Sequence, residues 1–462
     1  MSEHVVIVGA GPAGLAAAEQ ALRAGARVTV LDQADAPGGQ YHRMLPEAYA
    51  ARHPDRVQHG WAEFDRRRRV LAHPRCRWWP GTTVWALDRT ESGNPRLHLL
   101  RGQVDGSGRE RLTLEPDALL LATGAHDRTL PFPGWELPGV YTAGAAQALA
   151  KGERVAIGRR VLVAGAGPFL LPVAESLLGA GAEVVAVLEA NPLRTVRKGW
   201  SARPWRLAAH AGKAGELARY AVTLARHRVP YRLGRAVIEA RGADSVREVV
   251  TAKVRPDWSV ISGTERTYEV DAVCVGHGFV PQPELAVAAG CVLDDGFVRV
   301  DGEQRTTVDG VLAAGEITGI GGAITAAAEG AVAGCVAAGG NPDRSLLRAR
   351  DRARTFAERL ATAHPIGEAW PTWLRDDTIV CRCEETTYGE LTRAADDPAR
   401  PGSHALKLGT RAGLGPCQGR ICGPTVSELL GGVERHHRPI AQPIRLGELA
   451  TPARTEPKET PA

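Results

Sequence analysis

The chain is short of methionine, with two, and of aromatic residues, which make up 5% of its 462 positions. Its telling shortages lie elsewhere. No cysteine stands between Met1 and Arg75, and no C-x2-C pair occurs anywhere. Dithiol chemistry needs two neighbouring thiols, so that class is set aside. Charge of one sign is missing too. The 57 basic residues face 52 acidic ones, a net of +5, which gives no reason to expect a nucleic-acid or membrane partner. The nearest approach to a basic, aromatic patch is Arg66 to Arg69 with Trp78 and Trp79. Adjacent tryptophans in a strand point to opposite faces and make a poor stacking platform, so a solvated turn beside partly buried strand residues is expected. The most apolar long stretch, Ala323 to Gly340, holds Glu329 and several glycines, which suits a tightly packed internal helix and not a membrane span. A first strand starting by Val5 leaves no room for a signal peptide. A cytoplasmic protein is expected. Among fourteen histidines no Ser-His-Asp or metal-bound-water motif emerges.

What is present is concentrated at the start. Val5 to Val8 is an apolar, β-branched run, as a strand buried on both faces should be. Gly9, Gly11 and Gly14 follow at GxGxxG spacing, with Pro12 and Ala13 between them. The spacing permits a tight turn, a close approach to a pyrophosphate, and tight packing of helix 13–24 on the strand. That helix would aim its N-terminal amides at phosphate. Arg27 to Leu31 reads as the second strand, ending at Asp32, whose carboxylate can accept from ribose hydroxyls. This is a dinucleotide site. A second glycine-rich loop, with Gly39 and Gln40, could approach the same cofactor.

Leu119 to Ala122 is another buried strand, followed by Thr123, Gly124 and then His126, a loop histidine expected to make a structural hydrogen bond. From Arg160 the opening pattern repeats: strand Val161–Ala164, loop Gly165-x-Gly167, helix 168–179, strand Glu183–Leu188 and terminal Glu189. Leu170 stands where the third small residue should be, so nicotinamide binding and a purely structural fold are both open there. The sequence LLLATGA and the opening loop resemble flavoproteins of the glutathione-reductase-like superfamily, in which a second dinucleotide fold is inserted into the first. That superfamily ends a strand in Gly-Asp to hold the flavin's ribityl chain; here Gly315 and Glu316 stand in that place, one methylene longer.

Four of the eight cysteines lie near the C-terminus, Cys381 and Cys383 as C-x-C, Cys417 and Cys422 as C-x4-C. Four thiolates on two tight loops can close around an iron–sulfur cluster, and nearby glycines can turn amides toward sulfur. Structural zinc and disulfides are the competing readings. Cys274 and Cys335 read as core residues.

The cysteine stretch resembles the [2Fe–2S] domain of bacterioferritin-associated ferredoxin, and more closely its version fused to flavoprotein subunits of bacterial amine dehydrogenases. With LPFPGWELPGVYTAGAAQAL at 130–149 and PIRLGELA at 443–450, the chain resembles the α (A) subunits of the heteromeric opine oxidase, hydrogen cyanide synthase and D-hydroxyproline dehydrogenase group. The resemblance implies an α/β fold with two Rossmann-like dinucleotide-binding domains, the second inserted in the first, and a small α-helical [2Fe–2S] domain. The expected boundaries are 1–125 with 277–345 for FAD, 126–276 for an inserted NAD(P)-binding-like domain, 346–376 for a linker, 377–450 for the cluster domain, and 451–462 for a disordered tail. The resemblance also implies an electron-transfer subunit beside a D-amino-acid-oxidase-like β subunit, with room for a second flavin (FMN) where subunits meet and for a small third subunit. FAD would lie on the first cradle, and NAD(P) or another adenine nucleotide is the question at the second. Two other readings remain: a stand-alone NAD(P)H-dependent FAD/[2Fe–2S] reductase, which NADH would bleach, and a ferredoxin-like redox sensor, which would purify without FAD.

Overall fold

A computed structural model of the chain describes residues 4–46, 49, 53–104, 106–201, 211–397, 402–432 and 440–455. The opening run His4–Val8 is the middle strand of a five-stranded parallel sheet, in the order Val311–Ala313, Ala118–Leu121, His4–Val8, Arg27–Leu31, Cys76–Trp79. Its side chains alternate between two cores. Val5 and Ile7 pack with helices Pro12–Arg23 and Gly322–Ala337, whereas Val6 and Val8 meet Leu87, Leu97 and Leu99 of an antiparallel sheet. Both faces are covered, so the strand has no polar side, and each buried Val or Ile contributes roughly 1.5–3 kcal/mol. The two helices lie close because Gly330 and Gly334 face the Ala13 and Ala17 carbonyls.

The second sheet repeats the plan, in the order Tyr231–Leu233, Glu183–Glu189, Arg160–Gly165, Ala272–Gly276, Val140–Thr142, all parallel. The chain leaves the first sheet along Ala125–Asp127 and returns along Phe279–Pro281, which pair antiparallel. The second unit therefore interrupts the first. Helix Leu170–Gly179 begins two residues later than the sequence suggests, because Pro168 and Phe169 form a preceding turn.

The C-terminal part departs further from expectation. The stretch expected as a linker does hold the polar helix that its Arg- and Ala-rich sequence suggests, Arg344–Ala363, capped by Asp343. It is not a solvated connector: Arg350 and Arg359 are buried and Arg354 pairs with buried Glu329, since one face packs on Gly322–Ala337. The cysteine module holds the short strand Ile379–Cys381 and helices Tyr388–Ala395, Ser403–Thr410 and Gly423–Leu429 around Val380, Leu391 and Leu406. Residues 440–450, expected in that module, instead lie against the first unit. The amides of Ala441 and Gln442 donate to the Trp85 carbonyl, and Glu448 pairs with Arg109. The expected tail contributes a strand, Arg454–Thr455, parallel to Glu110–Leu114, because the edge of that sheet offers backbone partners; 456–462 lie outside the described residues. The arginines at 66–69 belong to, or directly follow, helix Trp61–Arg68, where Glu19, Glu63 and Asp65 pair with them. No helix among the described residues is long and apolar enough to cross a membrane.

Candidate functional site

At the first cradle the glycines are there because nothing else fits. A Cβ at Gly9 (φ +108°) would lie 2.3 Å from the Ala122 carbonyl oxygen, and one at Gly14 would lie 1.8 Å from that of Gly9. Gly39 closes over Gly11, its would-be Cβ 3.0 Å from the Gly11 Cα. Helix Pro12–Arg23 starts at Gly11 with no side-chain cap, leaving its first turn facing the loop. Asp32 stands below: its carboxylate accepts from the amides of Ala10 at 2.6 Å and Ala34 at 2.8 Å. Burial raises its pKa, and those two bonds oppose the shift.

The residues expected from the distant motif come to the same place. Gly315 touches Ala13, with a would-be Cβ 2.9 Å from the Ala13 Cβ. Glu316 accepts from the Gly322 amide at 3.2 Å, at the start of the long helix, and burial raises its pKa. Thr123 and Gly124 are engaged with the returning chain, the Thr123 hydroxyl donating to the Gln282 carbonyl at 2.8 Å. Gln40 accepts from Arg43 at 2.8 Å. His126 Nδ1 lies 3.1 Å from the Asp127 carbonyl. A glycine-lined loop, an uncapped helix start and an acid at the second strand's end fit the diphosphate and ribose of FAD.

The sequence reading missed what holds Gly315. Its amide donates to Glu329 at 2.9 Å, and Arg354 joins that carboxylate (2.7 Å) to Gln304 (2.6 Å). A lone acid in a small-residue helix was the available signal for Glu329; Arg354 carried none.

At the second cradle the same pattern has a different outcome. Glu189 is fully buried, accepting from the Gly167 amide at 2.7 Å and from Asn191 amide and side chain at 2.9 Å each. His364 Nδ1 lies 3.0 Å from the same carboxylate. Gly165 packs against Gly276, its would-be Cβ 1.8 Å from that carbonyl oxygen. An acid enclosed in this way does not reach a ribose, so these residues do not fit NAD(P).

Cys381 and Cys422 are buried and hydrogen-bonded to each other through sulfur; Cys383, exposed, pairs likewise with Cys417. The Cys422 thiol and the amides of Gly413, Glu384 and Cys383 hold the Cys381 thiol down to about 5, against the opposing effect of burial. The Cys381 sulfur, and then burial, push Cys422 up. All four are free cysteines, and no three metal-binding side chains among the described residues converge on one ion. Four thiols in two pairs are the donor set a [2Fe–2S] centre takes. They line a cavity of about 320 Å3 whose other wall includes Leu130, Trp135 and Tyr141 of the second unit.

Residues 3–331 match the family model for pyridine nucleotide-disulphide oxidoreductases, and residues 379–431 match that for the BFD-like [2Fe-2S] binding domain. The chain is 33% identical to the A subunit of opine oxidase from Agrobacterium tumefaciens, over 96% of this chain and 91% of that one. It is 30% identical to the HcnB subunit of hydrogen cyanide synthase from Pseudomonas aeruginosa, over 91% of each. Among solved structures, L-proline dehydrogenase from P. horikoshii superposes with a TM-score of 0.66 at 18% identity, covering 98% of this chain and 80% of that one. Thioredoxin reductase of T. acidophilum superposes at 0.51 and 23% identity, covering 73% and 98%.

Proposed function

The chain belongs to the pyridine nucleotide-disulphide oxidoreductase family, and from that premise we propose that it is the FAD- and [2Fe–2S]-containing electron-transfer subunit of a heteromeric amine or imino-acid dehydrogenase of the opine or D-hydroxyproline type. The observation that carries this reading is the cysteine module itself: two thiol pairs seated against the second unit of a chain whose dinucleotide cradle has no cysteine nearby. Relatives whose names make them subunits of an opine oxidase and a hydrogen cyanide synthase support it.

We assign 1–125 and 277–345 to the FAD domain, 126–276 to the inserted domain, and 377–432 to the cluster domain. Gly9, Gly11, Pro12, Ala13 and Gly14 would take the diphosphate, Asp32 a ribose, and Gly39 and Gln40 the loop side of FAD. Thr123, Gly124, Gly315 and Glu316 would flank the remainder. Cys381, Cys383, Cys417 and Cys422 would hold the cluster. Bound FAD supplies a carrier that accepts two electrons and releases them singly, and a [2Fe–2S] centre passes one at a time. The chain's own task is positional: the Glu329–Arg354 pair fixes the Gly315 turn, and the seating of the cysteine module fixes the distance between carriers. Substrate oxidation falls to a partner resembling D-amino-acid oxidase, with space at the interface for a second flavin and a small third subunit.

The test is co-expression with a D-amino-acid-oxidase-like reading frame adjacent to this one. The complex should show flavin bands with a broad red shoulder, and a paramagnetic cluster signal on anaerobic addition of an amine or imino acid. The chain alone should carry the bands and stay silent. A colourless chain, or one that oxidises the amine unaided, overturns the proposal.

A further inference from the structure

We propose that the second Rossmann-type cradle takes no pyridine nucleotide and is instead the docking site of the chain's own segment 363–375, an arm that fixes the cysteine module in place. Three requirements of a dinucleotide site fail together. The loop amide that should meet a phosphate, that of Gly167, is donated to Glu189 at 2.7 Å. The acid that should meet a ribose has no exposed surface and is surrounded by Gly167, Asn191 and His364. The helix start that should face the phosphates is tied into a turn: the Leu170 and Leu171 amides donate to the Gly167 and Pro168 carbonyls. In the first cradle the helix instead begins cleanly at Gly11, with the Leu15 amide bonded to the Gly11 carbonyl.

The arm closes the cradle with His364 and is held on either side by neighbouring elements. Ala363 is fully buried against Gly199, whose would-be Cβ lies 2.4 Å from the Ala363 Cα, and His364 stands over the loop. Gly367 crosses Trp258, the Ala369 amide donates to the Asp257 carbonyl at 2.8 Å, and Trp373 stacks on Trp258 with rings 5.8 Å apart. The far end reaches the cluster domain. Trp370 Nε1 donates at 2.9 Å to Glu428, on the helix that directly follows Cys422. A cradle that in relatives of this fold serves a diffusible ligand here serves a covalently attached one, which has an effective concentration no free nucleotide matches. Reducing equivalents then do not enter this chain as hydride from NAD(P)H.

The experiment is hydrogen–deuterium exchange on the full chain with its cofactors, with and without NADH or NADPH. Exchange across 162–172 should be unchanged by either nucleotide; protection of the Gly167 loop would overturn the proposal. In His364→Gly and Glu189→Gln, exchange across 363–375 should rise and the thermal midpoint fall. Unchanged arm exchange in both would also overturn it. If neither variant folds, the unmodified chain with and without nucleotide still decides. Loss of FAD or cluster would count against the proposed function and leave this inference intact, because the cradle's occupancy is read from the backbone amides themselves.

Discussion

His42 stacks on Phe64 with ring centroids 4.3 Å apart and has Nε2 3.0 Å from the His59 carbonyl; His277 directly follows the strand Ala272–Gly276, beside Trp258. Nδ1 of both rings is buried with no hydrogen-bond partner among the described residues. Burial lowers His42 from 6.5 to about 4 and His277 to about 3, the charges of Lys151 and Arg128 respectively acting in the same direction. Between those values and 6.5 the unfolded chain binds protons that the folded chain refuses. Stability therefore rises with pH across that window and is lost on acidification, by up to about 1.4 kcal/mol per pH unit for each ring. The thermal midpoint should fall from pH 6.5 to 4.5, and the combined variant His42→Gln, His277→Leu should fall less steeply. Parallel slopes would mean that other groups dominate the acid limb. Neither ring could be singled out among the histidines of the sequence, because their burial comes from contacts far along the chain.

At the scale of elements, legibility follows how local the constraint is. The glycines of the first cradle carry a motif whose spacing is visible in the sequence, although only Gly14 meets a near neighbour, Gly9, while Gly9 itself meets Ala122. The small-residue stretch 323–340 was likewise readable as an internal helix, since only small residues allow two backbones to approach so closely. The enclosure of Glu189 was not readable. The second loop repeats the first in pattern, and the histidine that closes it arrives from 175 residues downstream. Helix Arg344–Ala363 could be read as a helix but not as a packed one: its arginines suggest a solvated face, whereas Arg350 and Arg359 are buried and Arg354 meets Glu329 of Gly322–Ala337. The helix pair also carries a prediction. A Cβ at Gly334 would lie 2.1 Å from the Ala17 carbonyl oxygen, so Gly334→Val must push the helices apart at a cost of about 1–3 kcal/mol or more. Since Gly315 rests on Ala13 of the same pair, the variant should lose both thermal stability and bound flavin. Full flavin occupancy at an unchanged midpoint would show that the pair tolerates separation.

Across the whole molecule, each unit is tied to a segment distant in sequence. The cysteine module is seated by Trp135 Nε1 donating to the Ile379 carbonyl at 2.5 Å, by Thr425 donating to the Thr129 carbonyl at 2.6 Å, and by Arg128 paired with Glu428. After the module the chain returns to the first unit, where Arg109 meets Glu448 in a two-pronged pair at 2.7 and 2.9 Å, both side chains under 9% exposed. A paired guanidinium and carboxylate of this geometry resist separation, and removal of one leaves the other enclosed without its counter-charge. Glu448→Ala should therefore destabilise the first unit by about 1.5–3 kcal/mol, the range for a hydrogen bond to a charged group. The pair holds the returning segment against Glu110–Leu114 and touches no cysteine, so the paramagnetic signal of the cluster should stay as it was. A variant that kept its midpoint would show that the strand Arg454–Thr455 and the Trp85 bonds anchor the segment alone. One that lost the cluster signal would show that the segment also braces the cysteine module, which it meets where the Arg420 guanidinium, between Cys417 and Cys422, donates to the Ala441 carbonyl.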